Sequence, residues 1–122
     1  MALSKGYHRY MKSDKWFSKR SKILKRDNYQ CQYCPAVGTE LHVHHLTYKR
    51  FMREKNKDLV TACPACHNLL DKIRKTIKNL PDSKQAELDA IKDFYGYPHD
   101  MPKDREVLRG FLITLENLEE GR

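Results

Sequence analysis

Four cysteines and a group of histidines hold the chemistry open to this chain. Cys31-x-x-Cys34 and Cys63-x-x-Cys66 form two pairs with 28 residues between them. A C-x-x-C turn offers two thiolates to one tetrahedral ion. The separation exceeds the ~15–20 residues of a simple two-knuckle finger, so a sizeable insert lies between the pairs. A structural zinc on Cys31, Cys34, Cys63 and Cys66 is the favoured reading. A rubredoxin-like iron and two disulfides are the alternatives. With all four sulfurs on one ion no coordination position stays open, so these cysteines hold the fold and do not react. The insert contains His44-His45, and His67 directly follows the second pair. Neighbouring side chains on a strand point to opposite faces. Two adjacent histidines can therefore do two jobs, one on a metal and one on a water molecule. His67 and Asp71 stand four apart and share a helix face, which suits two ligands of one ion.

These residues need elements to place them. Ser13-Asp14 reads as a helix start, with Trp16, Ile23 and Leu24 at helical spacing and a stop near Asp27-Asn28. Residues 29–34 read as a short strand entering the first knuckle, and Pro35–Gly38 as a turn. Leu41–His44 alternate as a second short strand. Residues 46–58 are polar and basic and read as a loop. Leu59-Val60-Thr61 lead into the second knuckle, where a helix starts and runs to Pro81. Two more helices follow. One holds Leu88, Ile91, Phe94 and Tyr95 and stops at Gly96. The other starts near Asp100 and Pro102 and carries Val107, Leu108, Phe111, Leu112, Leu115 and Leu118. Its apolar side suits packing on the rest of the chain; a homodimer through these C-terminal helices is the alternative.

The chain has 122 residues and 24 Lys+Arg against 16 Asp+Glu, a net charge of +8. Residues 1–80 hold 18 of the basic and 6 of the acidic side chains; residues 81–122 hold 6 and 10. The composition thus divides a basic front, 1–80, from an acidic helical extension, 81–122. The front suits a polyanion. Lys19, Arg20, Lys22, Lys25 and Arg26 crowd one segment, and Lys72, Arg74, Lys75 and Lys78 another. Both suit backbone phosphates, which position a duplex without reading its sequence. No apolar run approaches the ~20 residues that span a bilayer, so no membrane partner is expected. The N-terminal residues show no apolar signal-peptide core, and an intracellular, cytoplasmic location is expected.

The stretch from Trp16 to about Arg74 resembles the HNH, or ββα-metal, nuclease family. The likeness is carried by Arg26-Asp27-Asn28-Tyr29-Gln30-Cys31-Gln32-Tyr33-Cys34, by Leu41-His42-Val43-His44-His45-Leu46-Thr47-Tyr48, and by Asp58-Leu59-Val60-Thr61-Ala62-Cys63-Pro64-Ala65-Cys66-His67. It implies an α+β fold: a small ββα-metal core stapled by the four-cysteine zinc, preceded by a helix and followed by a helical tail. It also implies one catalytic divalent ion. His44 is the matching metal ligand, His45 the general base that activates water, and His67 a further ligand from the helix. Asp71 stands where many relatives have a second histidine. A carboxylate there suits Mg²⁺ or Mn²⁺, with Zn²⁺ or Ni²⁺ as alternatives. The family's middle Asn is replaced by Asp58, which is expected to brace the loop instead.

The resemblance implies DNA phosphodiester hydrolysis, with His45 taking the proton of the attacking water. Arg50 and Arg53, after the doublet, are candidate phosphate clamps beside Arg20, Lys25, Arg74 and Lys75. No module for reading base edges is evident, so a nicking enzyme of low intrinsic specificity is expected. A phage or mobile-element setting is an analogy at family level. The rivals are a non-catalytic zinc-binding nucleic-acid module and an adaptor that works through its acidic tail.

Overall fold

The computed structural model describes residues 5–35 and 40–121. In chain order these form α1 (Lys5–Met11), α2 (Asp14–Arg26), β1 (His42–His45), β2 (Leu59–Ala62), α3 (Pro64–Asn79), α4 (Gln85–Tyr95) and α5 (Arg105–Glu119). The turn expected over Pro35–Gly38 lies mostly outside the described residues.

Local chemistry explains most of the helix starts. Ser13 Oγ accepts the Trp16 N–H at 3.1 Å, and Asp14 sits in the first turn of α2. Cys63 precedes α3 and Pro64 occupies its first turn, where a missing N–H costs nothing. Asp104 caps α5 by accepting the Glu106 N–H at 2.7 Å. The expected start near Asp100 is displaced because the Asp100 N–H bonds back to Gly96 O at 2.7 Å. Gly96 ends α4 at φ +77°, where a Cβ would come within 2.7 Å of Asp100 O.

β1 and β2 pair antiparallel, with His42 opposite Ala62 and His45 opposite Leu59. Helices cover both faces of this small sheet. Val43 and Leu59 face α1 and α2 and pack with Tyr10, Trp16 and Ile23. Val60 and Ala62 face the other way, into a core with Cys66, Leu70 and Ile73 of α3 and Leu108, Phe111 and Leu115 of α5. Burying each Val, Leu, Ile or Phe among them contributes roughly 1.5–3 kcal/mol. The apolar side of α5 is thus taken up within the chain, against α3. It is not left open for the dimer weighed as an alternative.

One further expectation fails, and one element was not foreseen. No strand forms over residues 29–34. Asn28 and Tyr29 adopt left-handed φ of 57° and 54°, which turn the chain sharply out of α2 into the first knuckle. Only the Gln32 N–H reaches the sheet, bonding Thr61 O at 3.1 Å. The second miss is α1, which has no apolar period. Rings hold it: Tyr7 stacks on Phe51 at 5.5 Å, and Tyr10 packs against Trp16 at 5.8 Å. Among the described residues, no helix is long and apolar enough to cross a membrane.

Candidate active site and metal centres

The knuckle before Pro35 and the end of β2 bring the four cysteines together. The sulfurs of Cys31, Cys34, Cys63 and Cys66 all lie within 4.8 Å of one another. Cys34 Sγ and Cys63 Sγ are 3.6 Å apart, and none of the four is in a disulfide. Zn–S bonds of ~2.3 Å in a tetrahedron place sulfurs about 3.8 Å apart, so the set fits one zinc. Burial opposes ionisation of Cys63 and Cys66. It drives Cys66 upward, while hydrogen bonds from the Cys66 N–H and neighbouring thiols pull Cys63 down to about 6. Four thiolates this close need a cation among them. Arg105, at the start of α5, supplies positive charge from outside: its guanidinium reaches Cys66 Sγ at 3.2 Å, Cys34 Sγ at 3.0 Å and Cys63 Sγ at 3.5 Å. Its neighbour in space, Tyr33, receives the Arg105 N–H at 2.8 Å. The sequence reading passed over Arg105, which stands 39 residues beyond the last cysteine.

The second cluster lies across the sheet from α2. Strand alternation turns His44 toward α3, where His67 and Asp71 share a face one turn apart. Their ligand atoms, with that of His44, lie within 4.8 Å of one another. Asp71 Oδ1 stands 4.0 Å from His44 Nδ1, and Asp71 Oδ2 3.9 Å from His67 Nδ1. Burial, and then the nearby His67, His45 and Arg74, push His44 down to about 3, which keeps its lone pair free for a metal. Burial lowers His67 as well, against the pull of Asp71. Two imidazoles and a carboxylate leave positions open for water and phosphate oxygens, so the set fits a catalytic divalent ion. His42, on the same strand face, stacks on His67 at 4.6 Å and steadies its ring.

His45 points the other way, toward α1 and α2. Its ring lies between Trp16 and Tyr48, with centroids at 5.0 and 4.8 Å and planes nearly parallel. Nε2 meets Glu54 Oε2 at 2.8 Å, and Glu54 Oε1 accepts the Tyr10 hydroxyl at 2.6 Å. Burial works against the Glu54 charge, but those two hydrogen bonds outweigh it and hold the carboxyl below its usual range. An ionised carboxylate only accepts, so Nε2 carries the imidazole proton and Nδ1 keeps its lone pair. Among the described residues nothing hydrogen-bonds Nδ1. Burial also lowers His45 itself, so the imidazole is neutral at pH 7. Glu54 was missed in the sequence. The available signal was its charge: it is the one acidic residue in the basic stretch from Lys49 to Lys57.

His44, His45, His67 and Asp71 open onto one cleft of about 360 Å³, walled by α1 on one side and by Arg74 and Lys75 of α3 on the other. Asp58 sits below the loop that rims it. Its carboxylate accepts both guanidinium nitrogens of Arg50, the Lys55 N–H at 2.9 Å and His99 Nε2 at 3.0 Å. Its carbonyl accepts the Leu46 N–H at 2.7 Å. Those hydrogen bonds, Arg50's foremost, hold the carboxyl far below its usual range despite burial. The remaining basic candidates separate by position. Arg20 donates to Leu41 O at 3.2 Å, and Arg50 is bound to Asp58. Lys25 and Arg53 are exposed away from this cleft, whereas Arg74 and Lys75 line it.

Comparison with known proteins agrees with this geometry. No curated protein and no solved structure matches the chain. Residues 31–72 match a family model, described as HNH endonuclease. The matched segment runs from the first cysteine through both strands to one residue beyond Asp71, about a third of the chain, and contains every ligand of both clusters. From the first knuckle into α3, the chain is similar to the HNH endonucleases.

Proposed function

We propose that this chain is a metal-dependent endonuclease that hydrolyses DNA phosphodiester bonds, nicking one strand with low intrinsic sequence specificity. One observation carries the reading. A three-ligand cluster and a histidine whose Nδ1 has no hydrogen-bond partner among the described residues line one basic-walled cleft. Bound by His44, His67 and Asp71, a divalent ion such as Mg²⁺ or Mn²⁺ supplies relief of negative charge at the phosphate and the departing 3′ oxygen. The chain's own groups do the rest. His45 Nδ1 takes the proton from the attacking water as the new P–O bond forms. The Glu54 carboxylate, on Nε2–H, steadies the imidazolium that results. Asp58 braces the loop between the strands, and Arg74 and Lys75 meet the substrate's backbone charge. One such cleft per chain favours a nick over a double-strand break.

A supercoiled-plasmid assay tests this, with wild type and His45→Ala in Mg²⁺, Mn²⁺ or EDTA, after zinc content and folding are matched. Nicking that needs the divalent ion and falls by about 10²–10⁴-fold in the variant is expected. Binding without cleavage in every ion would overturn the reading in favour of a non-catalytic zinc module.

A further inference from the structure

Beside the catalytic cleft lies a second, smaller one of about 220 Å³, walled by Tyr48 and Arg74 of the first cleft together with Lys92, Tyr97 and Pro98. The last three lie beyond the matched HNH segment, in the helical extension. The two clefts share Tyr48 and Arg74 and so adjoin each other.

Its lining is cationic, without a carboxylate. Arg74 lies over the Tyr48 ring at 5.7 Å, and the Lys92 ammonium over the Tyr97 ring at 6.0 Å. Each cation is thus braced on an aromatic face. The carboxylate near Arg74 is Asp71 at 3.8 Å, which faces His44 and His67. Arg74 shares Asp71 with those two histidines, whereas Lys92 has no ion pair among the described residues, although the extension that carries it is acidic overall. Two cations braced on aromatic faces, in a lining without a carboxylate, make an anion site. Its size falls below the ~300–1,000 Å³ of small-molecule pockets, which suits one phosphodiester of a polymer rather than a whole free ligand.

We propose that this cleft holds a backbone phosphate flanking the scissile one, clamped between Arg74 and Lys92, so that the C-terminal extension completes the substrate groove. The inference rests on the nucleic-acid reading above and names the part the extension plays in it. It asks nothing of base identity, since phosphate contacts position a strand without reading it.

The test is DNA binding without added Mg²⁺ or Mn²⁺, where no cleavage intervenes, by titrating a fluorescent duplex against wild type, Lys92→Ala and Lys92→Arg over a range of salt. All three are first matched for melting temperature and zinc content. Removing one phosphate contact should flatten the log K–log salt slope by about 1 and weaken binding about tenfold near 0.1 M salt. Lys92→Arg should restore both. An unchanged slope and affinity in Lys92→Ala would overturn the subsite and leave the nuclease reading intact. A wild type that binds with the expected Lys92 dependence yet never cleaves with Mg²⁺ or Mn²⁺ would uphold the subsite and remove the nuclease. No binding by wild type would overturn the subsite directly.

Discussion

His45 and Glu54 form a buried imidazole–carboxylate pair, with side-chain exposures of 2% and 0%. Such a pair sets which ring nitrogen holds the proton, and so which one acts on water. Glu54 itself is not among the residues lining the cleft. In the proposed reaction it acts through His45 and is a positioning residue. Glu54→Gln keeps the volume and one acceptor for Tyr10 but admits the wrong imidazole tautomer. The turnover rate should fall by about 10²-fold while the substrate concentration for half-maximal rate changes little. Steady-state nicking kinetics would show this, with a ¹⁵N spectrum of the His45 ring as the direct readout of the tautomer. A purely structural role would instead lower melting temperature and leave the ring nitrogens unaltered.

At the scale of elements, the first turn of α5 meets the four-cysteine cluster. A zinc held by four thiolates carries net negative charge. The Arg105 guanidinium, at hydrogen-bond distance from three of the sulfurs, offsets part of that charge and ties α5 to both knuckles. Arg105→Ala should speed transfer of zinc to a colorimetric chelator by about 10-fold or more, without changing the four ligands. Arg105→Lys should recover only part of the difference, since an ammonium cannot fork across several sulfurs. Equal release rates in wild type and Arg105→Ala would make the contact incidental. Stripping zinc from wild type should cost most of the fold, because metal binding and folding of such a site are one free energy.

For the whole molecule, the basic front and the acidic extension share one core. Val60, Cys66, Leu70 and Ile73 from the front interlock with Leu108, Phe111 and Leu115 from α5, all close to fully buried. Removing residues 81–122 would leave that side of α3 without its cover. A chain ending at Leu80 should therefore lose cooperative unfolding and bind zinc weakly, as read by calorimetry and metal analysis. A fragment that melts cooperatively with zinc bound would instead make residues 1–80 an independent domain. Within the full chain, Phe111→Ala should cost roughly 3–5 kcal/mol, the range for emptying a large buried site.

How much of this was legible in the chain follows from how locally each feature is encoded. The zinc set, the histidine doublet and His67 with Asp71 were readable because ligand spacing is a local property of turns, strands and helices. Cys31 and Cys34 share one knuckle, Cys63 caps α3 and Cys66 lies in its first turn, and the strand period alone sends His44 and His45 to opposite faces. The helix starts at Ser13 and Cys63 were readable through their capping chemistry. The residual features depend on contacts between segments distant in sequence. Helix α1 has no apolar period and exists because rings from the β1–β2 loop cover it. Glu54 meets His45 only after that loop folds back, and Arg105 meets the cysteines only after α5 crosses α3. Arg20 and Arg50 look like free cations in the sequence, yet their partners are a distant carbonyl and a buried carboxylate. The sequence by itself determined which groups could bind metal and which faces they take. The tertiary structure alone decided which charges are neutralised, which imidazole nitrogen stays free and which residues wall the cleft, because each requires groups that meet only when the chain packs.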